Sequence, residues 1–243
     1  MKVLVIPDVH LKPYMFDDAS GLMRRGVAEK AVCLMDIADD WGQEANLNLY
    51  EKTFDKAIQF AKEFPDTLWC YGNHDYSYLY LYRESGFSYF AIDTVRNKLA
   101  ELQKALPDEK QLTIIHRIDK VLFMHGGLTR KFVYDNVPVK DEDSIDDIIE
   151  RINQLPHHKL WEDNSPLWAR PQEENVQMYL PDDYVQVVGH SPVRNIYKEG
   201  CVISCDVFST YRDGRPIGTG VFPIIDTETG KYTIHTWAIG TND

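Results

Sequence analysis

Cysteine is scarce in this chain, and its spacing excludes a structural zinc site of the common kind. Cys33, Cys70, Cys201 and Cys205 are the only four in 243 residues, and no two of them are spaced C-x-x-C. They lie mostly in apolar, strand-like runs, which predicts buried free thiols and a reducing, cytoplasmic setting. Long apolar runs are missing too. No stretch approaches the roughly 20 residues needed to cross a bilayer. The opening MKVLVIPDVH turns polar before the roughly 7–15 apolar residues of a secretory signal are reached. A membrane is therefore not an expected partner. The third deficit is positive charge. With 26 Lys and Arg against 38 Asp and Glu, the formal charge is −12, so the surface as a whole attracts neither nucleic acid nor anionic lipid. Low-complexity tracts and internal repeats are also absent.

What is present has the composition of an ordinary soluble domain, at 44% hydrophobic and 26% charged residues. The length suits one large domain with a substantial core, and residues 1–243 are read as a single unit. Short, near-continuous apolar runs at 3–7, 31–35, 67–71, 112–116, 121–124 and 184–188 predict strands buried on both faces. Helices are predicted over 49–64, where Pro65 stops the pattern, and over 94–106, where Pro107 does. Runs at 201–207, 220–226 and 231–237 read as an antiparallel tail, with Glu228-Thr229-Gly230 turning the last pair. The expected fold is α/β, with two stacked mixed β-sheets flanked by helices. The acidic, proline-rich stretch 131–183, with a helical piece near 144–155, is expected to form a surface excursion over the site.

Five polar clusters close or follow apolar runs: DVH at 8–10, MDIADDWG at 35–42, GNHD at 72–75, HGG at 125–127 and GHSP at 189–192. In open α/β sheets, the loops beyond the carboxyl ends of the strands converge on one crevice, so these clusters are expected to meet there. Asp8 and His10, two apart on extended chain, can grip one ion from the same side. Asp36 offers two oxygens and can bridge two ions, while Asn73, His125 and His190 supply an amide oxygen and two imidazoles to the second. A donor set of carboxylate, imidazole and amide without thiolate suits two divalent ions, with manganese expected first and iron or zinc as alternatives. Three protein ligands on the first ion leave positions open, as catalysis requires. Two such ions roughly 3.5–4 Å apart suit hydrolysis of a phosphate ester by a bridging hydroxide.

The order D-x-H, D-x-x-D, GNHD, HGG, GH resembles the calcineurin-like metallophosphoesterase superfamily over residues 8 to about 206. HGGL at 125–128 and LWAR at 167–170 resemble its phosphoprotein-phosphatase and diadenosine-tetraphosphatase branch. The resemblance implies a four-layer sandwich with a dinuclear centre. Asp8, His10 and Asp36 would hold one ion, and Asp36, Asn73, His125 and His190 the other. It leaves His74 uncoordinated as the general acid, oriented by Asp39. Arg170 and Asn73 would bind the substrate phosphate, and Arg194, Tyr211 and Arg212 lie in loops that can reach the mouth.

Three departures from the family pattern stand out. Met35 replaces the usual glycine before the bridging Asp, a change expected to touch only local packing. Asp40-Trp41 stands where the branch has an arginine, so one phosphate clamp is missing. Pro192 replaces the last His of the G-H-x-H pattern of many diesterases and nucleases. The implied activity is hydrolysis of phosphomonoesters, phosphoserine and phosphothreonine included, on a small-molecule, nucleotide or protein substrate. A dinucleoside polyphosphate hydrolase is the alternative, and a non-catalytic scaffold of the same fold the third reading. Tyrosines 76–82 (YSYLYLY) are read as packing under the site.

Overall fold

Strands form where the apolar runs place them, and their carboxyl ends point the same way wherever the site residues follow. The computed structural model describes residues 1–173 and 175–236. Strand β1 (Lys2–Ile6) leads through helix α1 (Tyr14–Arg24) to β2 (Lys30–Cys33), then through α2 (Leu47–Glu63) to β3 (Leu68–Cys70). Helices α3 (Asn73–Tyr80) and α4 (Ile92–Ala105) precede the short β4 (Leu112–Thr113). β1 to β4 are mutually parallel, and β10 (Phe222–Asp226) and β11 (Lys231–His235) extend this six-stranded sheet antiparallel beside β1. Trp237, expected in the last strand, lies outside the described residues.

The second sheet has the order β5 (Ile115–Ile118), β6 (Val121–Met124), β7 (Val185–Val188), β9 (Val202–Ser204), β8 (Tyr197–Glu199). β6, β7 and β9 are parallel, so the run at 201–207 joins the parallel part of this sheet and is antiparallel only to β8, a strand its polar sequence hides. Between β6 and β7 lie α5 (Arg130–Asn136), α6 (Ile145–Asn153) and α7 (His157–Leu160). The run expected as one strand at 112–116 divides at Ile114: Thr113 pairs with Cys70 in the first sheet and Ile115 with Met124 in the second. Asn153, at the end of α6, holds this crossing, since its side chain accepts from Ile115 N and donates to Ile115 O, both at 3.0 Å.

The first sheet, its helices and the inner face of the second sheet share one core, with Trp69, Phe16, Phe54, Phe60 and Phe123 among its fully buried side chains. A second core lies outside the other sheet. Ser144 caps α6 by accepting from Asp147 N at 3.2 Å, and the helix turns Ile145, Ile148, Ile149 and Ile152 onto Leu122, Met124 and Val188. The stretch 131–183 is thereby packed against the second sheet through an apolar face of its own. No helix among the described residues is long and apolar enough to cross a membrane. Cys33, Cys70 and Cys205 are buried free thiols, and Cys201 is partly exposed.

His116 sits on β5 facing the first sheet, where its Nε2 lies 3.2 Å from the Trp69 carbonyl and 3.1 Å from the Gln111 carbonyl. Burial lowers its pKa from 6.5 to about 4, although both carbonyls favour the charged form. The unfolded chain takes up this proton first as pH falls. Stability is therefore lost between pH 6.5 and about 4, and the loss is complete below the folded value. Between pH 7 and 5 this group alone should account for a loss of about 2 kcal/mol. Urea unfolding of His116→Gln should show a pH dependence shallower by about that amount than wild type. Parallel losses in the two proteins would show that another group carries the effect.

Candidate metal and phosphate site

Asp8 and His10 follow β1, Asp36 and Asp39 follow β2, Asn73 and His74 open α3 after β3, His125 follows β6 and His190 follows β7. All of them meet at the carboxyl ends of the parallel strands, and a cavity of about 190 Å³ is lined by His10, Asp36, Asp39, Asn73, His74 and His190. Asp8, Asp36, Asp39, Asn73 and His125 are at most 2% exposed.

The polar atoms are arranged around the Nε2 of His125. Its Nδ1 lies 3.1 Å from the Leu34 carbonyl, which can only accept, so Nδ1 carries the proton of the neutral ring and Nε2 presents a lone pair. Facing that lone pair are Asn73 Oδ1 at 2.9 Å, Asp36 Oδ2 at 3.1 Å and His190 Nδ1 at 3.1 Å. Asn73 is oriented by its amide group donating to Glu84, which turns Oδ1 inward. The His125 lone pair and the Asn73 and Asp36 oxygens repel one another unless a cation lies among them. A proton can take that part, since burial alone would lower the pKa of His125, but Asp36 and Asp8 raise it to about 9. Two buried atoms, Asp8 Oδ2 and His190 Nε2, have no hydrogen-bond partner. On these grounds the residues fit divalent ions.

Ligand atoms of Asp36, His125 and His190 lie within 4.8 Å of one another, and so do those of His10, Asp36 and His74. His10 Nδ1 is held 2.9 Å from the Asp39 carbonyl, which leaves Nε2 toward Asp36 Oδ2 at 3.8 Å. Burial opposes ionisation of Asp36, but His125, His74 and His10 hold its carboxyl well below the usual carboxylate range. Asp8 has less help. Burial and then the neighbouring Asp206 push its pKa up, against the opposing pull of His125. Its Oδ1 accepts the N–H of His190 at 2.8 Å and so joins the loops after β1 and β7.

His74 is gripped on one side of its ring. Its Nδ1 lies 3.0 Å from Asp39 Oδ2 and 3.7 Å from Glu84 Oε1. Burial would lower its pKa, but Glu84, Asp36 and Asp39 outweigh burial and raise it well above 6.5. Asp39 Oδ1 accepts from Tyr50 at 2.7 Å and from Tyr78 at 2.5 Å, so both of its oxygens are engaged. Tyr78 therefore does more than pack beneath the site. Arg170 also lines the cavity, and one of its guanidinium nitrogens donates to the His190 carbonyl and to Ser191 Oγ, both at 3.0 Å. Trp168 of the same LWAR segment meets the His190 ring edge-on, with centroids 5.4 Å apart.

Sequence reasoning missed Glu84, Asp206, Tyr50 and the polar part of Tyr78. Glu84 and Asp206 line the cavity, and Asp206 is 1% exposed with both oxygens accepting from Ser209 Oγ. No motif flags them. Met35 corrects another expectation: at φ 56 it stands in the left-handed region that glycine adopts freely, so the exchange stores backbone strain besides altering packing. His10, Asp36, Asp39 and His190 share such positive φ angles, at 42°, 39°, 64° and 62°. Arg194, Tyr211 and Arg212 do not themselves line the cavity, although Thr210 next to them does.

The glycines of GNHD and GHSP are required by close approach. A methyl group on Gly72 would lie 1.9 Å from Asp36 Oδ1, and one on Gly189 would lie 2.0 Å from Asp8 Oδ2. The family model described as calcineurin-like phosphoesterase matches residues 1–213. Among solved structures, the cold-active protein-tyrosine phosphatase of the psychrophile Shewanella sp. is 17% identical, with a TM-score of 0.55, covering 96% of this chain and 80% of that one. The TT1561 protein of Thermus thermophilus is 10% identical, with a TM-score of 0.50, covering 97% of this chain and 98% of that one. These likenesses are of fold. No curated protein matches the chain. Gly72→Ala and Gly189→Ala should each weaken metal retention by roughly 10–100-fold, as loss of ligand support does in other metal sites. Metal content after dialysis checks this, with circular dichroism confirming the fold. Full retention in both variants would show that the two carboxylates are not ligands.

Proposed function

The chain belongs to the calcineurin-like phosphoesterase family, and from that premise we propose that it is a metal-dependent phosphatase acting on phosphomonoesters, with His74 as the proton donor. The observation that carries this reading is the setting of His74. It borders the same cavity as the metal-ligating cluster, yet its Nδ1 is turned to Asp39 and Glu84. A ring held this way keeps its proton and offers it to a leaving oxygen, a contribution of roughly 10²–10⁴-fold in rate. Asp39, fixed by Tyr50 and Tyr78, sets the orientation of that ring.

Asp8, His10 and Asp36 would hold one divalent ion, and Asp36, Asn73, His125 and His190 a second, with manganese the first choice for this donor set and iron or zinc next. When bound, such a pair supplies an activated water and neutralises charge on the phosphoryl oxygens. Arg170 stands at the wall of the cavity with part of its guanidinium free to grip a phosphate oxygen. The cavity, at about 190 Å³, is smaller than the roughly 300–1,000 Å³ pockets that enclose whole drug-sized ligands. That size suits a phosphoryl group with the remainder of the substrate outside.

Purified protein with added manganese should hydrolyse p-nitrophenyl phosphate. His74→Asn should lower kcat by about 10²–10⁴-fold with unchanged metal content. An unchanged kcat in that variant would remove His74 from the chemistry, and loss of metal would make it a ligand instead.

A further inference from the structure

Besides Arg170, a second cation near the cavity has no anionic partner among the described residues. Asp40, the third carboxylate of the D-x-x-D-D run, is neutralised within the fold, since Lys12 Nζ lies 3.0 Å from its Oδ2 and Thr210 Oγ1 donates to its Oδ1 at 2.9 Å. Lys12 also donates to the His10 carbonyl at 2.9 Å, so its charge is committed to the wall. The Asp40–Thr210 bond ties the loop carrying Trp41 to the loop carrying Arg212. Trp41 lines the cavity and is 36% exposed, and the guanidinium carbon of Arg212 lies 4.8 Å from its ring centroid.

Arg212 is exposed and makes no hydrogen bond or ion pair among the described residues. Its neighbour Arg215, by contrast, is paired with Asp213 at 2.7 Å. Stacking on an indole fixes the plane of a guanidinium without using its N–H donors, so its edge stays open to an anion. An unpaired arginine held this way is conspicuous in a chain of net charge −12. Trp41 itself borders the cavity, so Arg212 stands one side chain back from its wall.

We propose that Arg212, stacked on Trp41, forms a second anion subsite at the mouth of the cavity, which takes a phosphoryl group adjoining the one held inside. Substrates with linked phosphoryl groups, phosphoric anhydrides such as a pyrophosphate or a polyphosphate ester, would then be bound in preference to simple monoesters, which widens the substrate class proposed above. This subsite rests on the reading that the inner cavity receives a phosphoryl group.

The test is calorimetric titration of the metal-loaded protein with inorganic phosphate and with pyrophosphate at fixed free metal. Wild type should bind pyrophosphate about tenfold more tightly than phosphate, the size expected for a charge-assisted contact. Arg212→Ala should lose that advantage while phosphate affinity changes less than about twofold, and Arg215→Ala should behave as wild type. Equal affinities for the two ligands in wild type, or an undiminished preference in Arg212→Ala, would overturn the subsite. Binding needs no turnover. Failure to hydrolyse p-nitrophenyl phosphate would therefore count against the phosphatase reading alone, while the subsite stands or falls on the difference between the two ligands.

Discussion

Asp36 serves both faces of the site through its two carboxylate oxygens. Oδ1 accepts the N–H of His74 at 2.9 Å, fixing the start of α3, while Oδ2 lies 3.1 Å from His125 Nε2 and 3.8 Å from His10 Nε2. One buried carboxylate thus faces three imidazole-bearing residues drawn from both sheets. Burying a carboxylate costs several kcal/mol unless positive charge is supplied nearby. The histidines supply some of it when protonated, and a divalent ion held through their lone pairs would supply more. The remaining features of the site follow from keeping this group dry, ionised and reachable.

Reachability costs backbone strain. His10, Met35, Asp36, Asp39 and His190 all adopt positive φ without being glycine, and each such residue costs of order 1–3 kcal/mol unless local interactions repay it. Several of those interactions are visible. Asp75 accepts from Ile37 N and Ala38 N at 3.1 Å each and clamps the loop that carries Asp36 and Asp39. Asp8 does the same for the loop of His190. A carboxyl group buried for the sake of its loop is a structural use of its acceptor oxygens, and it gives the final Asp of GNHD a role although that residue does not line the cavity.

The legible part of the site is the part where chemistry and local structure coincide. Asp8, His10, Asp36, Asn73, His125 and His190 each follow a buried strand, so the apolar run and the polar cluster point to one another. Glu84 and Asp206 carry comparable charge in the same cavity, but Glu84 lies in a loop of no distinctive pattern and Asp206 just past a strand that reads as plain core. Tyr50 falls on an apolar helix face and Tyr78 within a tyrosine-rich run, so hydroxyls aimed at Asp39 look like packing. The strand expected at 112–116 shows a similar limit. An apolar run records that a segment is buried, and nothing in it records that pairing changes from Cys70 to Met124 across Ile114. The charge of Arg212 was plain, whereas its place over Trp41 depends on two loops 170 residues apart being joined at Asp40 and Thr210.

The division of the site between two sheets has a thermodynamic consequence. Asp8, Asp36 and Asn73 come from the first sheet, and His125, His190 and Asp206 from the second. Direct links across the seam at this end are polar, and they include His190 N to Asp8 Oδ1 at 2.8 Å, His125 Nδ1 to the Leu34 carbonyl at 3.1 Å and Thr210 Oγ1 to Asp40 Oδ1 at 2.9 Å. An ion that takes ligands from both sides binds only when the sheets are packed, so its binding free energy adds to the cohesion of the sandwich as well as to the chemistry. In its absence, the burial of Asp8 beside Asp206 works against the same packing. An ion bound by these residues would therefore offset the same burial of acidic groups that suits the cavity to cations.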